Sequence, residues 1–368
     1  MHWDDKMDSE IQSAIIEPEE DFDFIKQLTV IASAILVCSA LWFVWQVWDG
    51  SISLTGPSSF VTEKEENFDS LVQYDSVDHL TGKDVAVCIV DSGIEESHPD
   101  LDHMNLAGWT DFIGNKSSPY DDNGHGTMMA GILVADGGLS GIAKNVELYV
   151  AKALSGEGTG SDNTVAQAID WCITNNVNII SLSLGGATSG ASIIFGDAVE
   201  NAVDDAYDAG IVVVAAAGND GENDDGDVAS PATVSTVICV GGVDDLGRIW
   251  SGSSVGDNNG RLWPLLLPRN DPDRKPEVVA PGHEVPVIMT GGGWGISSGT
   301  SAATVYVTGA IALMFENNPD LKTGGTDMVD NVKDWIMSSS KMKDGQQEHD
   351  DYYGYGLIQF DALIEASQ

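Results

Sequence analysis

Val85-Ala86-Val87-Cys88-Ile89-Val90-Asp91-Ser92-Gly93 is an apolar run closed by a carboxylate and two small residues. Six consecutive apolar residues without polar alternation describe a strand buried on both faces, as in parallel sheets covered by helices. The run ends in a carboxylate followed by small residues. Asp91 therefore sits at the strand's C-terminal tip, where open α/β sheets keep their sites. Runs of the same kind at 146–151, 177–182, 211–217 and 237–243 alternate with helical stretches at 163–175, 198–209 and 301–316. That alternation predicts an α/β fold, a three-layer parallel sheet with helices on both faces. About 300 residues are ample for one core.

Further along the chain, Asn123-Gly124-His125-Gly126-Thr127 precedes the apolar run Met128-Met129-Ala130-Gly131-Ile132-Leu133-Val134, so His125 enters a short helix behind a glycine-rich turn. Gly299-Thr300-Ser301-Ala302-Ala303 reads either as a hydroxyl presented at a helix start or as a small-residue crossing of loop over helix. The strand at 211–217 ends in Gly218-Asn219, a side-chain amide at a sheet edge. Acyl transfer by serine needs a base, an anion that orients the base, and donors aimed at the developing oxyanion. His125, Asp91 and Asn219 supply these for Ser301, with the Ser301 backbone N–H as second donor.

These motifs, in the order Asp, His, Asn, Ser, resemble those of the subtilisin-like serine proteases, and the resemblance runs over residues 69–364. Asp91-Ser92-Gly93-Ile94 with His98-Pro99-Asp100-Leu101 is similar to the family's aspartate motif, and Asn123-Gly124-His125-Gly126-Thr127 to its histidine motif. The resemblance implies a serine endopeptidase acting on polypeptides. It also implies that Ser183-Leu184-Gly185-Gly186 lines the S1 pocket and that Ser155-Gly156-Glu157-Gly158 is an edge strand pairing with extended substrate. Ala280-Pro281-Gly282 and Gly354-Tyr355-Gly356-Leu357 resemble late landmarks of the family. Two departures, Val305 for a proline and Ala302 for a methionine, are mild. A third concerns Ala135-Asp136-Gly137-Gly138-Leu139-Ser140-Gly141, which is short where many relatives have a calcium-binding loop partnered by the aspartate matching Asp100. No metal ligand set is assigned and no cofactor is needed for the chemistry, although structural calcium is known in the family.

Residues 28–48 contain no charge over 21 positions, about 31 Å as a helix and close to the hydrocarbon thickness of a bilayer. The alternatives are a core helix and a cleaved signal peptide. A signal peptide begins with a basic segment, whereas residues 1–27 carry nine acids against Lys6 and Lys26. Trp42, Trp45 and Trp48 suit an interfacial belt, and Lys26 favours the N-terminus inside. The expected organisation is an acidic tail (1–27), a transmembrane helix (28–48), a linker (49–68) and a peptidase domain (69–368) facing the cell exterior from a single-pass anchor. Twenty residues of linker are too few for the inhibitory pro-domain of exported relatives, which makes a separate inhibitor or pro-domain chain a candidate partner.

A formal net charge of −42 disfavours nucleic acid as a partner. It reads either as a solvated acidic surface or as adaptation to high salt. Five of the acids fall in residues 220–227, where Asp220 is the candidate for selecting Lys or Arg at P1; the alternative is a solvated or calcium-binding loop. Residues 257–274, holding three of the four arginines, read as an inserted surface or docking loop. Cys38, Cys88, Cys172 and Cys239 are expected to act as small hydrophobes rather than to form bridges.

Overall fold

The computed structural model describes residues 19–48, 56–185, 198–221, 227–256 and 269–368. It divides into two units, Met1–Thr55 and Gly56–Gln368. Within the first, helix α1 (Glu19–Trp48) contains an apolar span, Ile25–Gln46, none of which is buried against protein.

The second unit opens with α2 (Ser59–Val72) and continues with β1 (Ala86–Asp91), β2 (Asn105–Asp111), α3 (His125–Val134), β3 (Glu147–Lys152), α4 (Asp162–Thr174) and β4 (Ile179–Leu182). Then come α5 (Ala198–Asp208), β5 (Val212–Ala216), β6 (Ile238–Val243), β7 (Val278–Pro281), the hairpin β8 (Val285–Met289) and β9 (Gly293–Ser297), α6 (Thr300–Asn317), α7 (Gly325–Ser339) and α8 (Phe360–Ala366). The seven-stranded sheet has the order β2-β3-β1-β4-β5-β6-β7, and every pairing is parallel.

Alternation along the strands explains the three layers. Val87 and Ile89 of β1 face one core with Leu133 of α3, Phe315 of α6 and Phe68 of α2. Cys88 and Val90 face the other with Ile169 of α4 and Val203 of α5. A strand buried on both sides needs apolar residues at every position, which is why these runs lack the polar alternation of a half-exposed sheet.

Two expectations are corrected. The linker at 49–68 ends by residue 56, because 59–72 is a helix whose Val61, Phe68 and Val72 are buried in the main core. Lys64 on its outer side bridges Asp245 and Glu284 at 2.9 and 2.8 Å. The acid-rich spelling of Glu63 to Glu66 hid an inward stripe at helical spacing. Residues 49–55 lie outside the described residues. The second correction concerns the cysteines: Cys88 of β1 and Cys172 of α4 form a disulfide. Cys88 faces the α4 layer and the two Cα atoms are 6.0 Å apart, within bridging range. Cys38 is free and exposed, and Cys239 is free and buried.

Candidate active site

The sheet order places β1 centrally, with β3 on one side and β4 and β5 on the other, so four strand ends converge on one crevice. Asp91 ends β1 and is fully buried. Its Oδ1 accepts from the Ser92 N–H at 2.6 Å, and both carboxylate oxygens meet His125 Nδ1, at 2.8 and 2.9 Å. His125 is the first residue of α3, and Gly124 before it has φ +98°, a left-handed conformation that glycine adopts without strain.

Asp121 fixes that turn. Its carboxylate accepts from the N–H groups of Asn123, Gly124 and Thr127 and from the hydroxyls of Ser92 and Thr127. Burial alone would raise this carboxyl, but the donors from Gly124, Thr127 and Asn123 outweigh it and hold Asp121 below the ordinary carboxylate range. Ser92 Oγ in turn accepts from the Gly126 N–H at 2.9 Å. A side chain at Gly126 would meet the Gly93 carbonyl at 2.2 Å, so the aspartate and histidine loops touch only because that position is glycine. The charge of Asp91 raises the His125 imidazole above its ordinary 6.5, outweighing the burial that opposes it.

Ser301 is the second residue of α6 and is buried. Its Oγ donates to the Ser183 carbonyl at 3.0 Å, while Ser183 Oγ donates to the Ser301 carbonyl at 3.0 Å. This reciprocal pair pins the start of α6 to the end of β4. Asn219 Oδ1 accepts from the Thr300 N–H at 2.9 Å and lies 3.0 Å from Thr300 Oγ1. With the carbonyl oxygen committed, the Nδ2 protons are the ones the amide has left to donate. His125, Ser301, Asn219, Ser183, Leu184 and Gly185 line one cleft of about 620 Å³. The arrangement offers a carboxylate-oriented imidazole, a hydroxyl at a helix start and an amide donor, the parts list of acyl transfer.

Asp220 also lines the cleft, with its side chain exposed and its N–H donating to Ser254 Oγ at 3.2 Å. Gly186 and residues 222–226 and 257–268 lie outside the described residues. The last acid of the 220–227 run, Asp227, is a buried partner of Arg269, paired at 2.6 and 2.8 Å. The expected edge strand at Ser155-Gly156-Glu157-Gly158 is corrected to a turn: the Gly158 N–H bonds the Ser155 carbonyl, and Gly158 takes φ +72°. Glycine on both sides of Glu157 frees the backbone to fold back, so the cleft wall takes Leu154 before the turn and Gly158, Thr159 and Gly160 after it. The Gly156 carbonyl instead accepts from Asn123 Nδ2 at 3.1 Å.

Asp121, Ser92, Thr300 and Lys152 belong to the same constellation and were not singled out from sequence. The signal for Asp121 was readable, an aspartate two and three residues before an Asn-Gly turn that opens a helix. Lys152 carried none, since a lysine ending an apolar strand looks like a solvent-facing terminus.

The fold and cleft are those of a serine-type endopeptidase. The sequence profile of the subtilase family matches residues 82–356, and the chain belongs to that family. It is 34% identical to subtilisin from Bacillus pumilus over 291 residues, 77% of this chain and 92% of that protein. It is also 34% identical to subtilisin NAT from Bacillus subtilis subsp. natto over 290 residues, 77% and 67% of the two chains. To the serine protease AprX of Bacillus subtilis (strain 168) it is 33% identical over 306 residues, 76% and 66% of the two chains.

The residues around Asp100 do not fit the calcium ion that the family implies there. Asp100 Oδ1 accepts from the Gly138 N–H at 2.8 Å, and Oδ2 from the Leu139 N–H at 2.9 Å and Trp294 Nε1 at 2.7 Å. A carboxylate so engaged by three protein donors leaves its oxygens little capacity for a hard cation. His98, whose Nε2 meets the Gly293 carbonyl and whose Nδ1 accepts from the Asp100 N–H, completes a structural corner.

Proposed function

We propose that this endopeptidase cleaves polypeptides with Ser301 as nucleophile, His125 as general base and then acid, Asp91 as the anion that orients His125, and Asn219 as an oxyanion donor. The observation that carries this reading is the two-point contact of His125 Nδ1 with the buried Asp91 carboxylate at the head of the cleft that Ser301 lines. That contact leaves Nε2 to face substrate. Ser301 Oγ gives its proton to Nε2 as it bonds to the scissile carbonyl carbon. The resulting oxyanion takes hydrogen bonds from Asn219 Nδ2 and the Ser301 N–H. His125 then returns the proton to the departing amine, and water repeats the sequence on the acyl ester. The resting bond from Ser301 Oγ to the Ser183 carbonyl is neutral, worth about 1 kcal/mol net. Rotation toward His125 is therefore easily reached when substrate enters.

The same reading gives Asp220 the selection of Lys or Arg at P1, because its exposed carboxylate lines the cleft. Chemistry proceeds without a cofactor, and the Asp100 corner is held by protein donors in place of calcium. Residues 28–48 anchor the chain in a lipid bilayer as a single span, supported by the apolar helix at Ile25–Gln46. The peptidase domain faces the exterior, a placement supported by the Cys88–Cys172 disulfide, since such bridges persist in oxidising compartments. A separate inhibitor or pro-domain chain restrains the enzyme until release.

The test is fluorophosphonate labelling of intact cells carrying the full chain or its S301A form, with and without added external protease. Labelling confined to the native chain and sensitive to external protease is expected. A folded chain that never labels would overturn the mechanism, and labelling that only detergent exposes to protease would overturn the orientation.

A further inference from the structure

Lys152 is the last residue of β3 and lies in register beside Asp91 of β1. It is fully buried. Its ammonium donates to the carbonyl of Ser92, to the carbonyl of Leu154 at 2.8 Å and to Asp122 Oδ1 at 2.7 Å, so all three N–H directions are used. It also stands 4.9 Å from the centroid of the Tyr120 ring. An ammonium taken out of water costs several kcal/mol unless fully bonded, and an apolar side chain of the same length would fill the slot without that cost. Packing alone therefore does not account for it.

Its acceptors do. Ser92 directly follows Asp91, Asp122 stands three residues before His125, and Leu154 leads into the turn from which Gly158 enters the cleft wall. These segments come from three different connections, and a single charged atom joins them. Asn123 Nδ2 on the Gly156 carbonyl adds a second tie between the histidine turn and the substrate segment. We infer that Lys152 is a positioning residue: its buried ammonium sets the Asp91 strand end, the His125 turn and the root of the substrate-binding wall at fixed mutual distances. The inference rests on the assignment of Asp91, His125 and Ser301 above. It makes the register of the Asp–His pair against bound substrate depend on a group that touches neither.

The experiment uses the full chain in detergent, with active sites counted by fluorophosphonate and kcat and KM expressed per counted site on a tetrapeptide anilide and a single-residue anilide. In K152M the count stays near one per chain, while kcat per site falls about 100-fold on the tetrapeptide, the loss that an ångström-scale misplacement of catalytic groups produces. The advantage of the tetrapeptide over the single-residue substrate shrinks as well. D122A, which removes one of the three acceptors at a side chain 49% exposed, loses about tenfold in kcat per site. A K152M enzyme with kcat and KM per site within about twofold of the native values would overturn the inference, as would a deficit explained wholly by a lower site count. If K152M yields no countable sites, D122A decides, and native kcat per site in D122A overturns the inference. A native chain that does not label at all refutes the Ser301 assignment instead, which keeps the two failures apart.

Discussion

Glu65 and Asp69 lie one turn apart on α2, and both face the body of the domain beside Tyr306 and the loop at 135–141. Burial, opposed by the Ser140 N–H and reinforced by Asp100, pushes the Glu65 carboxyl from 4.5 up to about 7. Burial together with Glu65, Asp75 and Glu66 pushes Asp69 from 3.8 up to about 7, and Lys144 is the cation that opposes this on both. A carboxyl whose pKa is higher in the folded state binds its proton more tightly there. Stability from that proton is full below pH 4.5, declines as pH rises, and is lost above about pH 7. For Glu65 alone the displacement corresponds to roughly 3 kcal/mol. Because part of the Asp69 displacement comes from the Glu65 charge, the two costs do not add.

The perturbation is E65Q, which removes the charge and retains an oxygen for the Ser140 N–H at 2.7 Å. In an S301A background that prevents self-digestion, thermal unfolding of E65Q and its parent is compared at pH 5 and pH 8. At pH 5 the folded parent keeps the Glu65 proton and only about a quarter of the loss has set in, so the two midpoints lie within about 1 °C of each other. At pH 8 E65Q unfolds roughly 5 °C higher, as expected for a few kcal/mol in a domain of this size. Taking the difference between the chains cancels Asp111, Asp121 and Asp244, whose lowered pKa values give the opposite slope. A difference that is zero at both pH values, or an E65Q chain less stable at pH 8, would refute the burial argument.

N219A should lower kcat by about 10²–10³ with KM nearly unchanged, because its amide acts on the oxyanion and not on bound substrate; steady-state kinetics on a peptide anilide measure this. The acid limb of kcat/KM should have its midpoint above 6.5, since Asp91 favours protonated His125 and the base must be neutral. In D91N that limb moves down as kcat collapses. C172A opens a disulfide spanning 84 residues and should cost about 2–5 kcal/mol, read as a lower midpoint that reductant no longer changes. D220N should reduce kcat/KM for Lys and Arg at P1 while leaving Leu unaffected, measured on a matched substrate series.

The strands were legible because each is buried on both faces, and an uninterrupted apolar run such as Val85 to Val90 has few other uses. β2 was not legible, because this edge strand is half-exposed along most of its length, and its bulge between Leu106 and Gly108 breaks the alternation. α2 was hidden by charge, its inward positions being spelled Val61, Glu65, Phe68, Asp69 and Val72. The site was legible wherever chemistry demands one residue type at one strand or helix end, as at Asp91, His125, Asn219 and Ser301. It was not legible where residues act through contacts between distant segments. Nothing local ties Lys152 to Asp122, or Cys88 to Cys172, until β1 and β3 lie side by side and α4 packs across them.

The loop at 135–141 joins these two kinds of information. It closes the far end of α3, whose first residue is His125, and it is held from two sides by acids of opposite character. Asp100 takes three donors and so has its charge answered inside the protein. Glu65 has one donor, from Ser140, and faces the cavity with its charge largely unanswered. Raising the pH through 7 therefore places on Glu65 a charge that burial opposes, which costs the fold stability even though the Ser140 N–H bonds the ionised carboxylate more strongly. Asp121, Ser92 and Gly126 secure the His125 end of α3 independently, through bonds that no group titrating near pH 7 supplies. The stability of the domain and the geometry of the Asp91–His125 pair should accordingly part company with pH. In E65Q the gain in unfolding midpoint at pH 8 comes with no change in kcat/KM, and an equal change in both would mean that α3 transmits the state of its far end to the site.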